Sequence, residues 1–115
     1  YIQQGELRLD SVQQQVDALF ALEYPPTAIF AASDSLALEV LKAVRARQMH
    51  TPDDIAVIGF DDLDIAETIG LTTICQSLDE SGRVAIELLL ARLADPTRPI
   101  QHVRLPLRVV ERDTA

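Results

Sequence analysis

Two pairs of polar residues stand where this chain could do chemistry. Ser33-Asp34 follows the apolar run Ala28-Ile29-Phe30-Ala31-Ala32 directly, and Asp61-Asp62 follows Ile55-Ala56-Val57-Ile58-Gly59-Phe60 in the same way. An ionised Asp is acceptor-only, so it takes hydrogen bonds from hydroxyls or ring N–H groups. A polyol or a nucleobase carries such donors. Gln76, at the end of the run Leu71–Gln76, would add an amide. Each residue also has a plain structural role open to it: Asp34 as a helix N-cap, Asp61 as a turn acid, Gln76 as a strand-end polar residue, and Asp62 and Asp64 as solvated loop acids.

These residues need elements to position them. Neither apolar run alternates with polar residues, which suits strands buried on both faces of a parallel sheet. Between them Leu36, Ala37, Val40, Leu41 and Val44 recur at helical spacing, predicting a helix over 34–47. Lys42, Arg45 and Arg47 fall near its end, where cations complement the macrodipole. Strand 28–32, helix 34–47 and strand 55–60 make a βαβ unit of the expected ~30 residues, with a right-handed crossover. Ligands of open parallel sheets gather outside the carboxyl ends of the strands, where both polar pairs fall.

The other elements follow from local signals. Ser11 and Gln14 have capping-box spacing, opening a helix over 11–23 that ends before Pro25-Pro26. Thr51-Pro52-Asp53-Asp54 is turn chemistry. One helical turn is expected at Ile65–Thr68, and Leu71–Gln76 reads as a third strand. Ser77 or Asp79 would cap a long apolar-faced helix over 79–94, stopped by Asp95-Pro96-Thr97. Gln101–Arg112 reads as two short edge strands broken at Pro106. The order is α-β-α-β-β-α-β-β, an open α/β sheet. So few helices leave apolar surface uncovered, and neighbouring chain or a second copy is expected to complete it.

Composition narrows the function. The 115 residues amount to one domain, and 48% hydrophobic residues suit a globular chain. Ten basic against eighteen acidic residues give a net charge of −8. That is poor material for gripping phosphates, so this chain by itself is not expected to bind nucleic acid. The imbalance is local: residues 51–80 hold eight acids and no Lys or Arg, whereas residues 81–115 hold six Arg against four acids. The lone Cys75 allows no internal disulfide and suits a reducing compartment. His50 and His102 have no ligand-spaced partner, so no metal site and no cofactor are expected. No run approaches the ~18 apolar residues of a membrane span. Tyr1–Asp10 is polar without signal-peptide architecture, and the absence of an initiator Met suggests a piece of a longer protein.

Catalytic patterns are missing. There is no Gly-rich phosphate loop and no nucleophile elbow. Asp61-Asp62 as a phosphate-accepting or metal-binding pair would need a further acid and a Lys at other strand ends, and the single Lys42 lies inside a helix. Cys75 lacks a His partner and reads as inert. The chain is therefore not expected to be an enzyme. An α/β enzyme fragment with Asp61 as its acid remains as an alternative.

Four segments carry a family resemblance. Pro26–Leu38 (PTAIFAASDSLAL), Pro52–Asp62 (PDDIAVIGFDD), Leu71–Gln76 (LTTICQ) and Leu107–Thr114 (LRVVERDT) resemble, in order and spacing, the corresponding segments of lactose-repressor-type (LacI/GalR) transcription regulators. The resemblance runs from about residue 10 to the end. It implies a three-layer parallel-sheet lobe of a type I periplasmic-binding-protein-like domain, present here as a fragment. Residues 1–115 would be the C-terminal part of the effector-binding domain. The helix over 79–94 would pack on an N-terminal lobe outside this chain, and the helix-turn-helix would lie outside it too.

By position, the resemblance makes Asp61 the effector-binding aspartate, Ser33 the cleft-lining polar residue, Asp34 the capping acid beside it, and Gln76 a residue at the lobe crossing. Leu38, Leu41, Lys42 and Ile65 would lie on a subunit interface. The partners implied are a sugar-like or related polar effector, a second copy of the protein, and operator DNA through the absent domain, in the cytoplasm. A transport solute-binding protein shares the fold and is the other alternative. The chain departs from the family pattern at Ser33, where Asn is common, at Glu39, where Gly is common, and before Leu71, where a Pro-Pro pair is missing.

Overall fold

A computed structural model describes residues 1–3 and 11–115. Most of the polar opening segment therefore lies outside the described residues. The elements are α1 (Val12–Phe20), β1 (Ala28–Phe30), α2 (Asp34–Ala46), β2 (Ala56–Asp61), α3 (Asp64–Thr68), β3 (Thr72–Cys75), α4 (Leu78–Ala94) and β4 (Arg108–Val110). The sheet order is β1-β2-β3-β4. The first three strands are parallel, and β4 runs antiparallel on β3. Parallel pairing brings the carboxyl ends of β1, β2 and β3 to one edge of the molecule.

One apolar cluster holds this unit together. Val12 and Val16 of α1, Ala37, Val40, Ala43 and Val44 of α2 and Ala66 of α3 meet Ile55, Val57 and Leu71 on one side of the sheet. Ile55, Val57 and Leu71 are wholly buried, and burying such a side chain contributes about 1.5–3 kcal/mol. Arg47 joins the two large helices. It ion-pairs with Asp17, its guanidinium lies 5.4 Å over the Phe20 ring, and it donates to the Ala43 carbonyl at 2.7 Å.

The other side of the sheet is less covered, although Thr72 on that face is buried. Phe30 and Val109 are each 59% exposed there, and Phe30 meets Phe60 edge-on at 6.5 Å. Among the described residues, the sheet thus carries one of the two helical layers that a three-layer lobe has. The long helix α4 differs again. None of its residues is buried, and Ile86, Leu89, Leu90 and Leu93 are exposed. Along its polar side Arg83 bridges Glu80 and Glu87, each at 2.6 Å. A projecting arm of this kind accounts for a molecule 58 Å long and only 26 by 22 Å across.

Several local expectations need correction. The Ser11 hydroxyl accepts from Gln15 Nε2 at 3.1 Å and makes no capping bond to the backbone. Ser77 precedes α4 without a side-chain cap, at a φ of 47°. The helical turn expected at 65–68 does form, as α3, and counting it changes the order to α-β-α-β-α-β-α-β. Of the two strands expected over 101–112, only Arg108–Val110 forms. The stretch before it contains Pro99 and Pro106, which lack an N–H for a ladder, and lies beyond the reach of β3. Two glycines are needed where they stand. A Cβ on Gly59 would run into the Asp34 carboxylate and Leu71, and Gly70 has a φ of 66° beside Asp113.

Candidate functional site

The strand register puts Asp61 and Gln76 at neighbouring strand ends, with Ser33 in the turn that follows β1. Phe30 pairs with Ile58, and Ser33 and Asp61 each stand three residues further on. Asp61 pairs with Cys75, and Gln76 follows it. Asp61 and Gln76 therefore meet at the ends of β2 and β3, and Ser33 follows the end of β1 by three residues. Gln76 Nε2 donates to Asp61 Oδ1 at 2.5 Å. The second carboxylate oxygen of Asp61 has no hydrogen-bond partner among the described residues. All three residues are part-buried, reachable by a small ligand.

Ser33, not Asp34, is the N-cap of α2. Its Oγ accepts from the Leu36 N–H at 3.3 Å, and its φ of −156° is extended. The hydroxyl proton remains available to an acceptor on a ligand. Asp34 departs from its expected place in the cleft and from the cap. Its carboxylate is wholly buried. Oδ2 accepts from the Leu63 N–H at 2.7 Å and Oδ1 from the Thr73 hydroxyl at 2.6 Å. With both oxygens engaged inside the protein, Asp34 has no edge facing a ligand. It sits behind the site.

Asp61 and Asp62 turn the chain sharply. Their φ angles are 111° and 57°. Side chains other than Gly rarely occupy this half of the map, and such residues cost about 1–3 kcal/mol each where surroundings enforce them. Asp tolerates the left-handed region better than most, which suits Asp62.

Asp62 is not the solvated loop acid expected. Arg112 Nη2 donates to its Oδ1 at 2.8 Å, and Arg108 lies 3.6 Å from Oδ2. The hydrogen bond from Arg112 is the main cause holding the Asp62 carboxyl below the ordinary 3.8; desolvation opposes it, and the charges of Arg112 and Arg108 and a hydrogen bond from Cys75 assist. Arg112 also donates to the Leu71 carbonyl at 2.9 Å, and its own N–H to the Thr72 hydroxyl at 2.9 Å. Next to it, the buried Thr114 hydroxyl accepts from the Thr72 N–H and donates to the Val57 carbonyl. Sequence reasoning passed over Arg112, Thr73 and Thr114 as site-supporting residues. The only signal for Arg112 and Thr114 was their place in the closing family-like segment.

Leu38, Leu41 and Lys42 share a groove of about 440 Å3 with Arg45, Met49, His50 and Ile69. Ile65 lies half-buried on α3. A larger groove of about 870 Å3 runs between Tyr1–Gln3, α1 and β1. Its lining carries no charged side chain, and it lies along the edge of β1 rather than at the strand ends. No cluster of His, Cys, Asp and Glu among the described residues could hold a metal ion. No helix among them is long and apolar enough to cross a membrane.

Residues 2–115 match the model of the periplasmic binding protein-like domain. The chain is 40% identical over 92 residues to the ribose operon repressor of Escherichia coli, covering 78% of this chain and 28% of that protein. The chain belongs to the lactose-repressor (LacI/GalR) family. The HTH-type transcriptional repressor PurR of Vibrio cholerae is 31% identical over 116 residues, 99% of this chain and 34% of the repressor. A LacI family transcriptional regulator from Enterococcus faecalis, solved with bound ribose, superposes with a TM-score of 0.84 at 30% identity, covering 95% of this chain and 41% of that one. The chain thus spans about a third of the length of the curated relatives it matches. Those relatives are transcriptional repressors, not enzymes.

Proposed function

We propose that this chain is the ligand-sensing part of a LacI-type transcriptional regulator, taking a sugar-like effector at the carboxyl ends of β1–β3. The observation that carries this reading is the meeting of Asp61 and Gln76 at the ends of β2 and β3, close to Ser33 after β1, with one Asp61 oxygen unengaged among the described residues. An acceptor flanked by a hydroxyl and an amide suits a ligand with vicinal hydroxyls. Ribose in the E. faecalis structure supports a sugar.

In this reading α4 packs on a second lobe outside this chain, because its exposed Ile86, Leu89, Leu90 and Leu93 find no cover here. Effector held between the lobes would favour one closure state and so shift how a homodimer presents its DNA-binding heads in the cytoplasm. The α2 face at Leu38, Leu41 and Lys42, with Ile65 of α3, would form the dimer contact. Calorimetric titration of the full-length regulator with D-ribose, other monosaccharides and free nucleobases tests the reading. One of them is expected to bind, with affinity falling at least about a hundredfold in Asp61→Ala, since a charge-assisted contact would be lost. Unchanged binding by that variant would refute the site.

A further inference from the structure

The Asp61 carboxylate meets Gln76 at the strand ends from a backbone that turns through φ angles of 111° and 57° at Asp61 and Asp62. Two consecutive residues in a half of the map that side chains other than Gly avoid do not hold themselves there. Surrounding contacts must over-determine the corner. The structure supplies contacts on both sides of it. From inside, the wholly buried Asp34 carboxylate takes the N–H of Leu63, the residue that follows the corner, while its other oxygen is anchored on the Thr73 hydroxyl of β3. Gly59 leaves the space for that carboxylate on the sheet. From outside, Arg112 spans Asp62 Oδ1 and the Leu71 carbonyl.

We propose that Asp34 is a positioning residue: its buried carboxylate, by holding the Leu63 N–H, keeps the Asp61–Asp62 corner in the conformation that presents Asp61 to a ligand, with Arg112 as the outer clamp. A helix-capping acid would act on α2 itself. Asp34 acts 29 residues away, and the cap of α2 is already made by Ser33. This inference rests on the reading of Asp61 as the effector-binding acid.

The test is amide hydrogen exchange on the intact protein without ligand, comparing Asp34→Ala, Asp34→Asn and the core variant Val44→Ala. Val44 is buried in the same cluster but touches neither Leu63 nor the corner through a hydrogen bond. Asp34→Ala is expected to speed exchange across 61–63 by about tenfold or more beyond what Val44→Ala does, because a local clamp opens locally. Asp34→Asn keeps an oxygen for Leu63 and should stay near wild type. Equal exchange at 61–63 in Asp34→Ala and Val44→Ala would overturn the proposal. A D-ribose titration adds the functional arm: affinity should fall about tenfold in Asp34→Ala and stay unchanged in Val44→Ala. Wild type that does bind ribose, but no more tightly than Asp34→Ala, overturns the clamp. Wild type that takes up no ribose counts instead against the sugar reading, and the exchange data still decide the clamp.

Discussion

Helices α2 and α4 are both rich in Ala and Leu, yet one is the centre of the molecule and the other touches almost nothing. Five residues of α2 are buried, among them Val40 and Val44, and the helix spans from the β1 end to a cation-lined last turn. No residue of α4 is buried. The difference lies in what each apolar stripe faces. The stripe of α2 meets Ile55 and Val57 on the strand it leads into, so its partner comes with the same βαβ unit. The stripe of α4 leaves the sheet after β3 and meets only the segment that returns to β4. Apolar content marks a surface that wants cover; the connection decides whether the cover is close at hand.

Substitutions on the two sides should therefore behave differently. The largest effect is expected at Leu71, wholly buried in the core, where Leu71→Ala should lower the free energy of unfolding by about 2–5 kcal/mol in urea denaturation. Thr114→Val comes next. It removes a buried hydroxyl that accepts from Thr72 N and donates to Val57 O, which should cost about 1–3 kcal/mol by the same measurement. Acid should act through Asp62. Its folded pKa lies below the ordinary 3.8, so its contribution is present above that value and is lost as pH falls through the folded one. Urea midpoints should drop below about pH 4, and Asp62→Asn should flatten that drop. The smallest effect is expected on the arm. Leu89→Gln with Leu93→Gln should change the midpoint of this chain by less than about 0.5 kcal/mol, as for exposed sites. A loss as large as that at Leu71 would mean the arm is packed in solution.

What the sequence made legible was local. The continuous apolar runs gave β1 and β2, the 3.6-residue spacing gave α2, and the strand-end rule put the pairs Ser33-Asp34 and Asp61-Asp62 at one edge without telling the members of each pair apart. What stayed hidden depends on partners far along the chain. Asp34 reads as a cap because capping is a four-residue property; it turned inward because Leu63 and Thr73 offer donors 29 and 39 residues away. Asp62 reads as solvated because its counter-ion, Arg112, comes 50 residues later. The failed strand at 101–107 is the converse: a suitable pattern with no ladder beside it to join.

The pairing of Cys75 with Arg108 has one more consequence. The arm leaves and re-enters the sheet through neighbouring, hydrogen-bonded positions, so topologically β3 and β4 are a hairpin with a long excursion spliced into its tip. Closing so long a loop carries an entropic cost that grows with the logarithm of its length, and a two-residue Asn-Gly connection avoids most of it. Excising the excursion after Gln76 and joining the strands by such a turn should leave the sheet, the Asp61 corner and its clamps in place, in a smaller and less adhesive lobe.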